Sequence, residues 1–596
     1  MMRHKQHQQD NGGEKPDDPV FDSAGHTYHA HFSSSRIDAL QRAYREVFSS
    51  LKGDVTGRIT AATYLNTSSA FYHDRVIGMG FLPKLYDEAA LSYFDTIVAT
   101  TYRILDKITQ HYLRDDEYRR LFRFSPLLES LICLPSSYAA TIPIARFDIF
   151  LDEQSGDFMF CEFNTDGSSA MNEDREVCNA LATTPSLANF SATHRVCAQE
   201  LFDNWIDAFL RIYESSSAAR PNPTVAIVDY RRSATMTEHR EFCRRFMARG
   251  VNCLIADIAD LAFIDGALYA TNTEPDTRDF DPADKDVASR HLESRQPIRV
   301  DAIYRRAVTH EIVAELEQEL EQESQPTGQA RRQIFERLLS GNSVCSDPSD
   351  CTGARALLVA VATGSVCMLG DFKTQVAHSK AVFVVLHLPE TQAILSASER
   401  DFIRRHVPYT TWLDADSIDL NAAKANKDRW IIKPVDGYAT MGVFAGRGLG
   451  AEEWERLIDE HSNDGYVIQE YCQQYATLNT LPLPLDSQGQ PMFSRPNDIQ
   501  RAVRAGRFDA QHLEPYHTLT GLFSYDGRFS GVYVRAGQDA LIVGFRGGIT
   551  LGSLLCDVSE FCDLAIVPRH LDVASSRLYE CRNDYLPPAS DASELK

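Results

Sequence analysis

The sequence predicts an α+β fold with a helical N-terminal region, an antiparallel sheet core and a small α/β domain. Apolar residues recur at helical spacing in the first 140 residues, and later segments alternate polar and apolar residues as β-hairpins do. A strand–helix–strand pattern occupies residues 224–257. With 596 residues the chain is too long for one ordinary core, so three or more subdomains are expected.

The composition is that of a globular protein, with 43% hydrophobic and 24% charged residues. The formal net charge of −23 argues against a nucleic-acid partner and against binding to an anionic membrane. It leaves room for a local basic pocket. No run of 18 apolar residues occurs, so no transmembrane helix is predicted.

The 13 cysteines are scattered, without a CxxC pair or a neighbouring histidine cluster. Neither a zinc site nor a disulfide framework is therefore predicted, and a reducing, cytoplasmic setting is the simplest expectation. The first residues, MMRHKQHQQDNGG, lack the apolar stretch of a signal peptide.

Helical periodicity dominates the chain on both sides of the first hairpin. The polar tail at 1–26 is predicted to be disordered. The periodic segments predict these helices: Arg36–Leu51, Leu85–Tyr112, Glu117–Leu131, Asn172–Thr183 and Ala192–Tyr213, the last two separated at Pro185.

The first hairpin is predicted at residues 145–164. ARFDIFL and FMFCEFN both alternate polar and apolar residues, and the turn-rich DEQSGD joins them. If Leu151 pairs with Met159, two cross-strand pairs share one face, because side chains two apart on a strand point the same way. These pairs are Asp148–Glu162 and Arg146–Asn164.

This face collects two carboxylates, an amide and a guanidinium. Two carboxylates this close repel each other unless a cation lies between them. Oxygen ligands of this kind suit Mg²⁺, with phosphate oxygens completing its shell, and an adjacent arginine suits a phosphate. The alternative is an ordinary polar face of an edge hairpin.

A parallel βαβ unit is predicted after Pro223. TVAIVDY (224–230) and VNCLIAD (251–257) are strands, with the helix Glu238–Arg249 between them. A short hairpin at Asp260–Ala270 and a strand at Val300–Arg305 extend this α/β domain. Its first turn, DYRRSAT, is not GxGxxG, so no dinucleotide site is predicted.

A second candidate site begins at Arg429 with RWIIKPVDGYATMGVFAGRG. Lys433 lies near the end of an apolar strand, and glycines such as Gly437 and Gly442 let the backbone approach a ligand. A glycine-rich hairpin that carries a lysine is a plausible mobile lid over phosphates. The alternative is an ordinary hairpin with a surface lysine. Lys380 opens another apolar segment, KAVFVVLH.

The C-terminal third is predicted to be mainly strands. YVIQEYC (466–472) places Glu470 inside an apolar strand, where the acid needs a partner such as a ribose, an adenine or a structural arginine. Three further strands are predicted at 517–525, 529–537 and 540–545, with a DGR turn between the first two. Arg535 ends the middle strand.

Taken together, RxD…ExN, the lysine of IIKPVDG, the strand ending QEY and the final GVYVR sheet resemble the ATP-grasp ligases. The metal hairpin precedes Lys433 in this chain. That order resembles the circularly permuted ATP-grasp group, and within it the synthetase module of glutathionylspermidine synthase. The resemblance covers about residues 140–550. Nothing here resembles that family's fused Cys-His amidase domain, since the first 140 residues contain a single cysteine, Cys133.

The resemblance implies a role for each matching residue. Asp148, Glu162 and Asn164 match magnesium ligands, and the expected cofactors are ATP and two Mg²⁺ ions. Arg146 and Arg535 match arginines that face the transferred phosphate. The matching nucleotide-binding positions are Lys380, Lys433, Gln469, Glu470 and Tyr471, and the lid glycines Gly437 and Gly442 are predicted nucleotide contacts from their position in the turn. The TDGSSAMNEDRE segment after ExN matches no motif.

The implied activity is ATP-dependent joining of a small-molecule or peptide carboxylate to an amine through an acyl phosphate. Two alternatives stay open: an inactive ATP-binding regulatory or scaffold protein on the same fold, and an ATP-dependent phosphotransferase. Neither a nucleic acid nor a membrane is an expected partner.

The expected domain organisation follows the motifs. Its parts are a disordered tail (1–26), a helical region (27–140), the metal-binding part of the core (141–222), a pre-ATP-grasp-like α/β domain (223–330), a connecting region (331–428), the lid and hinge (429–472), the rest of the core (473–571) and a tail (572–596). One cleft should unite the hairpin, Arg535 and Lys433, with the α/β domain flanking it.

Overall fold

The computed structural model describes residues 20–21, 27–28, 32, 34–72, 75–272, 297–323, 352–437, 440–483, 509–542, 548–559 and 569–570. The predicted tails at 1–26 and 572–596 lie mostly or wholly outside these residues. Within the described part of the chain, none of the helices combines the length and apolar character that crossing a membrane requires.

A nine-stranded, largely antiparallel sheet forms the core, as predicted. Its strands are Met79–Tyr86, Ile144–Leu151, Phe158–Asn164, Val196–Ala198, Ala476–Asn479, Glu514–Tyr525, Arg528–Gly537, Ile549–Cys556 and Arg569–His570. The first hairpin lies at one edge and pairs through Ile144–Leu151 with Glu514–Tyr525, which in turn pairs with Arg528–Gly537. The sheet therefore joins the hairpin and the C-terminal strands.

The hairpin Ile144–Leu151 and Phe158–Asn164, called the site hairpin below, has the predicted pairing at its functional end. The pairs Asp148–Glu162 and Arg146–Asn164 are present. At the turn end Leu151 pairs with Phe158, not with Met159 as predicted. The register shifts by one residue after Asp148, so Cys161 is the extra residue of a β-bulge.

Two strand predictions were wrong. The third C-terminal strand is Ile549–Cys556 rather than 540–545; residues 540–542 are not in a strand, and 543–547 lie outside the described residues. The segment Met79–Tyr86 is a strand and pairs in parallel with Ile549–Cys556, whereas only helix was expected there. All eight of its residues are buried, so no alternation marks it as a strand.

Helices cover the core sheet, with bounds that differ in places from the prediction. They are Ser34–Ser50, Val55–Thr67, Glu88–Arg114, Asp116–Arg119, Pro126–Ile132, Met171–Ala182, Pro185–Ser191 and Leu201–Glu214. The helix predicted at Glu117–Leu131 is broken, because Arg123 has a positive φ and Pro126 starts a new helix. The helix predicted at Ala192–Tyr213 starts only at Leu201, after the strand Val196–Ala198.

The predicted α/β domain is built on a four-stranded parallel sheet. The strand order is Asn252–Asp257, Thr224–Asp229, Ala302–Arg305 and Cys367–Leu369. The helices Met236–Ala248, Thr309–Glu323 and Gly353–Ala362 accompany it, and Leu261–Ile264, Ala267–Ala270 and Ile298–Val300 form a separate small sheet. After Thr224–Asp229 the next strand of this sheet, Asn252–Asp257, pairs on one side of it, and the later strand Ala302–Arg305 pairs on the other side. The sheet therefore has a topological switch point between Thr224–Asp229 and Ala302–Arg305.

A second antiparallel sheet, called the lid sheet below, contains the strand–turn–strand predicted around Lys433. Its order is Thr410–Trp412, Tyr466–Glu470, Trp430–Pro434 and Phe444–Ala445, and the helix Ala451–His461 packs on it. The helices Gln375–His378, Ala381–Val385, Pro389–Ile394, Ala397–His406 and Leu420–Ala425 lie in the chain before or between these strands.

Candidate functional site

The fully buried carboxylate of Asp148 is the centre of an ion-pair network. Its Oδ1 accepts a hydrogen bond from Arg146 Nε at 2.7 Å, and its Oδ2 accepts from Arg146 Nη2 and from Asn164 Nδ2, both at 3.1 Å. Arg535 Nη2 also donates to Oδ2. Adjacent strands position these partners, since Asp148 faces Gly521 on the strand that pairs with that of Arg535.

Glu162 is the carboxylate of the hairpin that opens toward solvent. Its side chain is 31% exposed, and its Oε1 lies 3.7 Å from Arg535 Nη2. Burial raises the pKa of Glu162, but the combined charges of Arg535, Lys380, Arg146 and Lys433 outweigh it, so the net shift is downward. Glu162 is therefore ionised at neutral pH.

Lys433 reaches from the lid sheet to the site hairpin. Its Nζ donates to the carbonyl of Cys161, the bulged residue, at 3.2 Å and to Gln469 Oε1 at 2.8 Å. Gln469 in turn donates to Thr410 Oγ1 at 2.9 Å, which holds its amide in place. The surface-lysine alternative is wrong, because Lys433 is only 6% exposed.

Two hydrogen bonds attach Lys380 to the segment that follows the lid strand Trp430–Pro434. Its backbone N–H donates to Val435 O at 2.9 Å, and its Nζ donates to Gly437 O at 2.9 Å. The following helix is anchored on the site hairpin, because Phe383 stacks on Phe163 with ring centroids 4.7 Å apart. Burial lowers the pKa of Lys380, although Glu162 opposes the shift.

A cavity of about 320 Å³ joins these groups. The predicted site residues on its wall are Arg146, Glu162, Asn164, Lys380, Lys433, Gly437, Gln469, Glu470, Tyr471 and Arg535. Asp148 and Gly442 are not among the lining residues. Asp148 is covered completely. Gly442 lies in the turn with φ +71°, and a Cβ added there would lie only 2.7 Å from the Tyr466 hydroxyl oxygen.

Glu470 and Tyr471 lie where the chain leaves the lid sheet. Glu470 is the last residue of its strand rather than a mid-strand acid, and Arg429 Nη2 donates to its carboxylate at 2.6 Å. Arg429 is therefore a structural arginine of the kind predicted as a partner for Glu470. The Tyr471 hydroxyl donates to Ala540 O at 3.0 Å, which ties this exit to the C-terminal part of the core.

The side chains fit a magnesium ion in part. The described residues contain no group of three or more His, Cys, Asp and Glu side chains placed to hold a metal. Glu162 and Asn164 offer oxygen atoms at the cavity wall, as Mg²⁺ prefers. Both oxygens of Asp148 accept hydrogen bonds, Oδ1 from Arg146 and Oδ2 from Arg146, Asn164 and Arg535, so Asp148 could join them only if some of these donors moved away. Its role as a ligand stays a prediction.

The cavity also extends to residues that the sequence prediction missed. Glu173, Asp229, His239 and Arg306 line its end next to the parallel sheet. The acidic segment after ExN contained Glu173, and Arg306 follows a predicted strand, but neither has a motif of its own. Only their proximity to the first hairpin identifies them as site residues.

Comparisons with known proteins find two weak similarities. No protein-family model matches the chain. The chain is 22% identical over 173 residues to the ATP-grasp enzyme ankG of Aspergillus thermomutatus, a match that covers 27% of this chain and 31% of that protein. Among solved structures it is similar to a glutathione synthetase-like effector, GSS30, from Globodera pallida in its apo form. That match has a TM-score of 0.44 and 9% identity, over 83% of this chain and 95% of the effector.

Proposed function

We propose that this protein is an ATP-dependent ligase that joins a carboxylate to an amine through an acyl phosphate. The observation that carries the proposal is the contact between Lys433 and Cys161, which lie 272 residues apart in sequence. It unites the lysine of the lid with the acidic hairpin, beside Arg146 and Arg535. Within the ATP-grasp ligases, we propose the circularly permuted order and a relation to glutathionylspermidine synthase, because the hairpin precedes the lid lysine.

The charges of the cavity suit a nucleoside triphosphate. Lys380 Nζ contacts Gly437 O of the lid turn and Lys433 Nζ contacts Cys161 O of the site hairpin, and both lysines line the cavity, where they would hold phosphate oxygens. Arg146 and Arg535 both donate to Asp148, and we propose that they face the negative charge that develops on the transferred phosphoryl group. Glu162 and Asn164 would hold a magnesium ion, which when bound neutralises phosphate charge.

The lid turn fits the need to exclude water from an acyl phosphate. Gly437 has φ +148° and Gly442 has φ +71°, conformations that glycine adopts without strain. Met441, between them, is 55% exposed and lines the cavity. We propose that this turn closes over bound nucleotide and places an apolar side chain against it, so that the amine rather than water attacks.

ADP release measured across pairs of carboxylates and amines tests the proposal, starting with glutathione and polyamines. Amine-dependent ADP release that needs Mg²⁺ is the expected result. Glu162→Gln should remove it, whereas Glu455→Gln, on an exposed helix position, should not. ADP release without an amine product would favour a phosphotransferase. ATP binding without turnover on any pair would favour the inactive regulatory protein.

A further inference from the structure

The end of the cavity that faces the parallel sheet is a separate part of the site. Asp229 ends the strand Thr224–Asp229, and Arg306 directly follows the strand Ala302–Arg305. These two neighbouring strands diverge at the topological switch point, and open parallel sheets bind ligands in the crevice at the carboxyl ends of such strands. The topology thus indicates a ligand-binding position at this end of the cavity, away from the lid.

Two buried side chains on this wall carry polar atoms that make no hydrogen bond within the described residues. Glu173 is 7% exposed, and its Oε2 makes no hydrogen bond. His239 is 1% exposed, and neither ring nitrogen makes a hydrogen bond, although Nε2 lies 3.3 Å from Asp229 Oδ2. Buried polar atoms are normally paired, so unpaired ones on a cavity wall point to a missing ligand.

Acidic side chains outnumber basic ones at this end of the cavity. Arg306 is the cation on its wall, but the terminal nitrogens of its guanidinium are bonded to Glu238 Oε2 at 2.9 Å, to the Tyr304 hydroxyl at 3.0 Å and to Ser168 O. The carboxyl groups of Glu173, Asp229 and Glu311 then outnumber Arg306 and Arg232, whose Nε lies 3.8 Å from Glu311 Oε1. We call the three acidic residues and His239 the acidic end of the cavity.

The pKa shifts of these groups agree with a binding site for a cation. Burial raises the pKa of Asp229 to about 7, and burial with the neighbouring Glu238 raises the pKa of Glu173 to about 8. Burial lowers the pKa of His239 well below its usual value. Without a ligand the acids hold protons close to neutral pH, and a bound cation would let them ionise.

We infer that the acidic end binds the amine substrate as an ammonium ion, held by Glu173 and Asp229. This inference rests on the proposed function, because it divides one cavity between a phosphate end and an amine end. An anionic carboxylate substrate would be repelled by Glu173 and Asp229 once they ionise. Before it attacks the acyl phosphate from the side of the parallel sheet, the ammonium ion would give one proton to Asp229 or Glu173, which frees the nitrogen lone pair.

Calorimetric titration of the full-length protein with matched probes tests this inference. The probes are n-butylammonium and 1,4-diaminobutane, with 1-butanol and 1,4-butanediol as neutral counterparts. The ammonium probes should bind and the alcohols should not. Asp229→Asn and Glu173→Gln should each weaken binding at least tenfold, Asp229→Glu should retain it, and Glu455→Gln should have no effect. Binding of a fluorescent ATP analogue should stay unchanged in all four variants.

The outcomes separate this inference from the proposed function. If the protein binds ATP but prefers no ammonium probe over its alcohol, the acidic end is not an amine site, and the ligase proposal stands. If the ammonium probes bind equally well to Asp229→Asn and Glu173→Gln, the amine site lies elsewhere and the inference fails. If ammonium binding depends on both carboxylates while ATP does not bind, the cation site stands and the ligase proposal fails.

Discussion

Arg535 donates a hydrogen bond to Asp148 although 387 residues separate them in sequence. The strand Glu514–Tyr525 lies between their strands and presents Gly521 opposite Asp148. A glycine at this position leaves room for the side chains of Arg146 and Asp148, because an added Cβ would lie within 2.7 Å of both. The phosphate end of the cavity therefore depends on the order of strands in the core sheet.

Asp148→Asn should destabilise the protein, whereas Glu162→Gln should change stability much less. Breaking a buried ion pair by removing one partner costs about 3–5 kcal/mol, and here two arginines would lose their counter-charge. Glu162 is partly exposed, so water can replace some of its interactions. Urea unfolding of both variants measures the difference. Equal losses in the free energy of unfolding would contradict the view that Asp148 is mainly structural.

Lys433→Ala should raise the KM for ATP about tenfold or more, since a hydrogen bond to a charged group contributes about 1.5–3 kcal/mol. The effect on kcat should be smaller, because the lysine contacts would already exist with bound ATP. Lys424→Ala is the matched control, since Lys424 pairs with the exposed carboxylate of Asp459. A variant with unchanged KM would remove Lys433 from the nucleotide site.

Arg535→Lys should lower kcat about 100-fold while leaving the KM for ATP nearly unchanged. The lysine keeps a positive charge near Asp148 but cannot reproduce the planar guanidinium that faces a transferred phosphoryl group. Steady-state kinetics with the best substrate pair measures both constants. A raised KM with normal kcat would assign Arg535 to ground-state ATP binding instead.

The stability of the Glu173→Gln variant relative to wild type should increase as the pH rises. Glu238 and burial raise the folded-state pKa of Glu173 to about 8, against the opposing charges of Arg146 and Arg306. Between the ordinary glutamate pKa and this value the folded state binds more protons than the unfolded state, so wild-type stability falls as pH rises. Glutamine cannot ionise and avoids this loss.

Melting temperatures of wild type and Glu173→Gln at pH 5.5 and pH 8.5 measure this effect. The difference between the two proteins should shift in favour of the variant at the higher pH. Glu455→Gln serves as the control for general pH effects. A difference that is the same at both pH values would mean that Glu173 is ionised throughout.

Gly521→Ala should destabilise the protein by about 1–3 kcal/mol, as overpacking typically does. An added Cβ would lie 2.7 Å from Arg146 Cδ and 2.7 Å from Asp148 Oδ1, so the ion pair must move. Gly448→Ala is the control, because its Cβ would meet only Ala540 Cβ at 3.8 Å, an ordinary van der Waals contact. Urea unfolding should separate the two variants. Equal stability would show that Arg146 and Asp148 can shift without loss.

The local pattern of the sequence was sufficient to predict the cross-strand pairs at the functional end of the site hairpin. Alternation along both strands and a polar turn between them are local properties, and they predicted the Asp148–Glu162 pair. The bulge at Cys161 was not predictable, because one inserted residue leaves the alternation on either side intact. The strand Met79–Tyr86 was missed because burial of all its residues removes any alternation.

By itself, the sequence determined which residue types line the phosphate end, because Arg146, Glu162, Lys433 and Arg535 lie at recognisable positions within strands. Only the tertiary structure decided that Asp148 lies covered behind arginines while Glu162 faces the cavity. It also decided that Glu173, Asp229 and His239, from three separate segments, share one wall. The physical reason is that burial and the charge of distant neighbours set the availability of a side chain, and neither is a local property of the sequence.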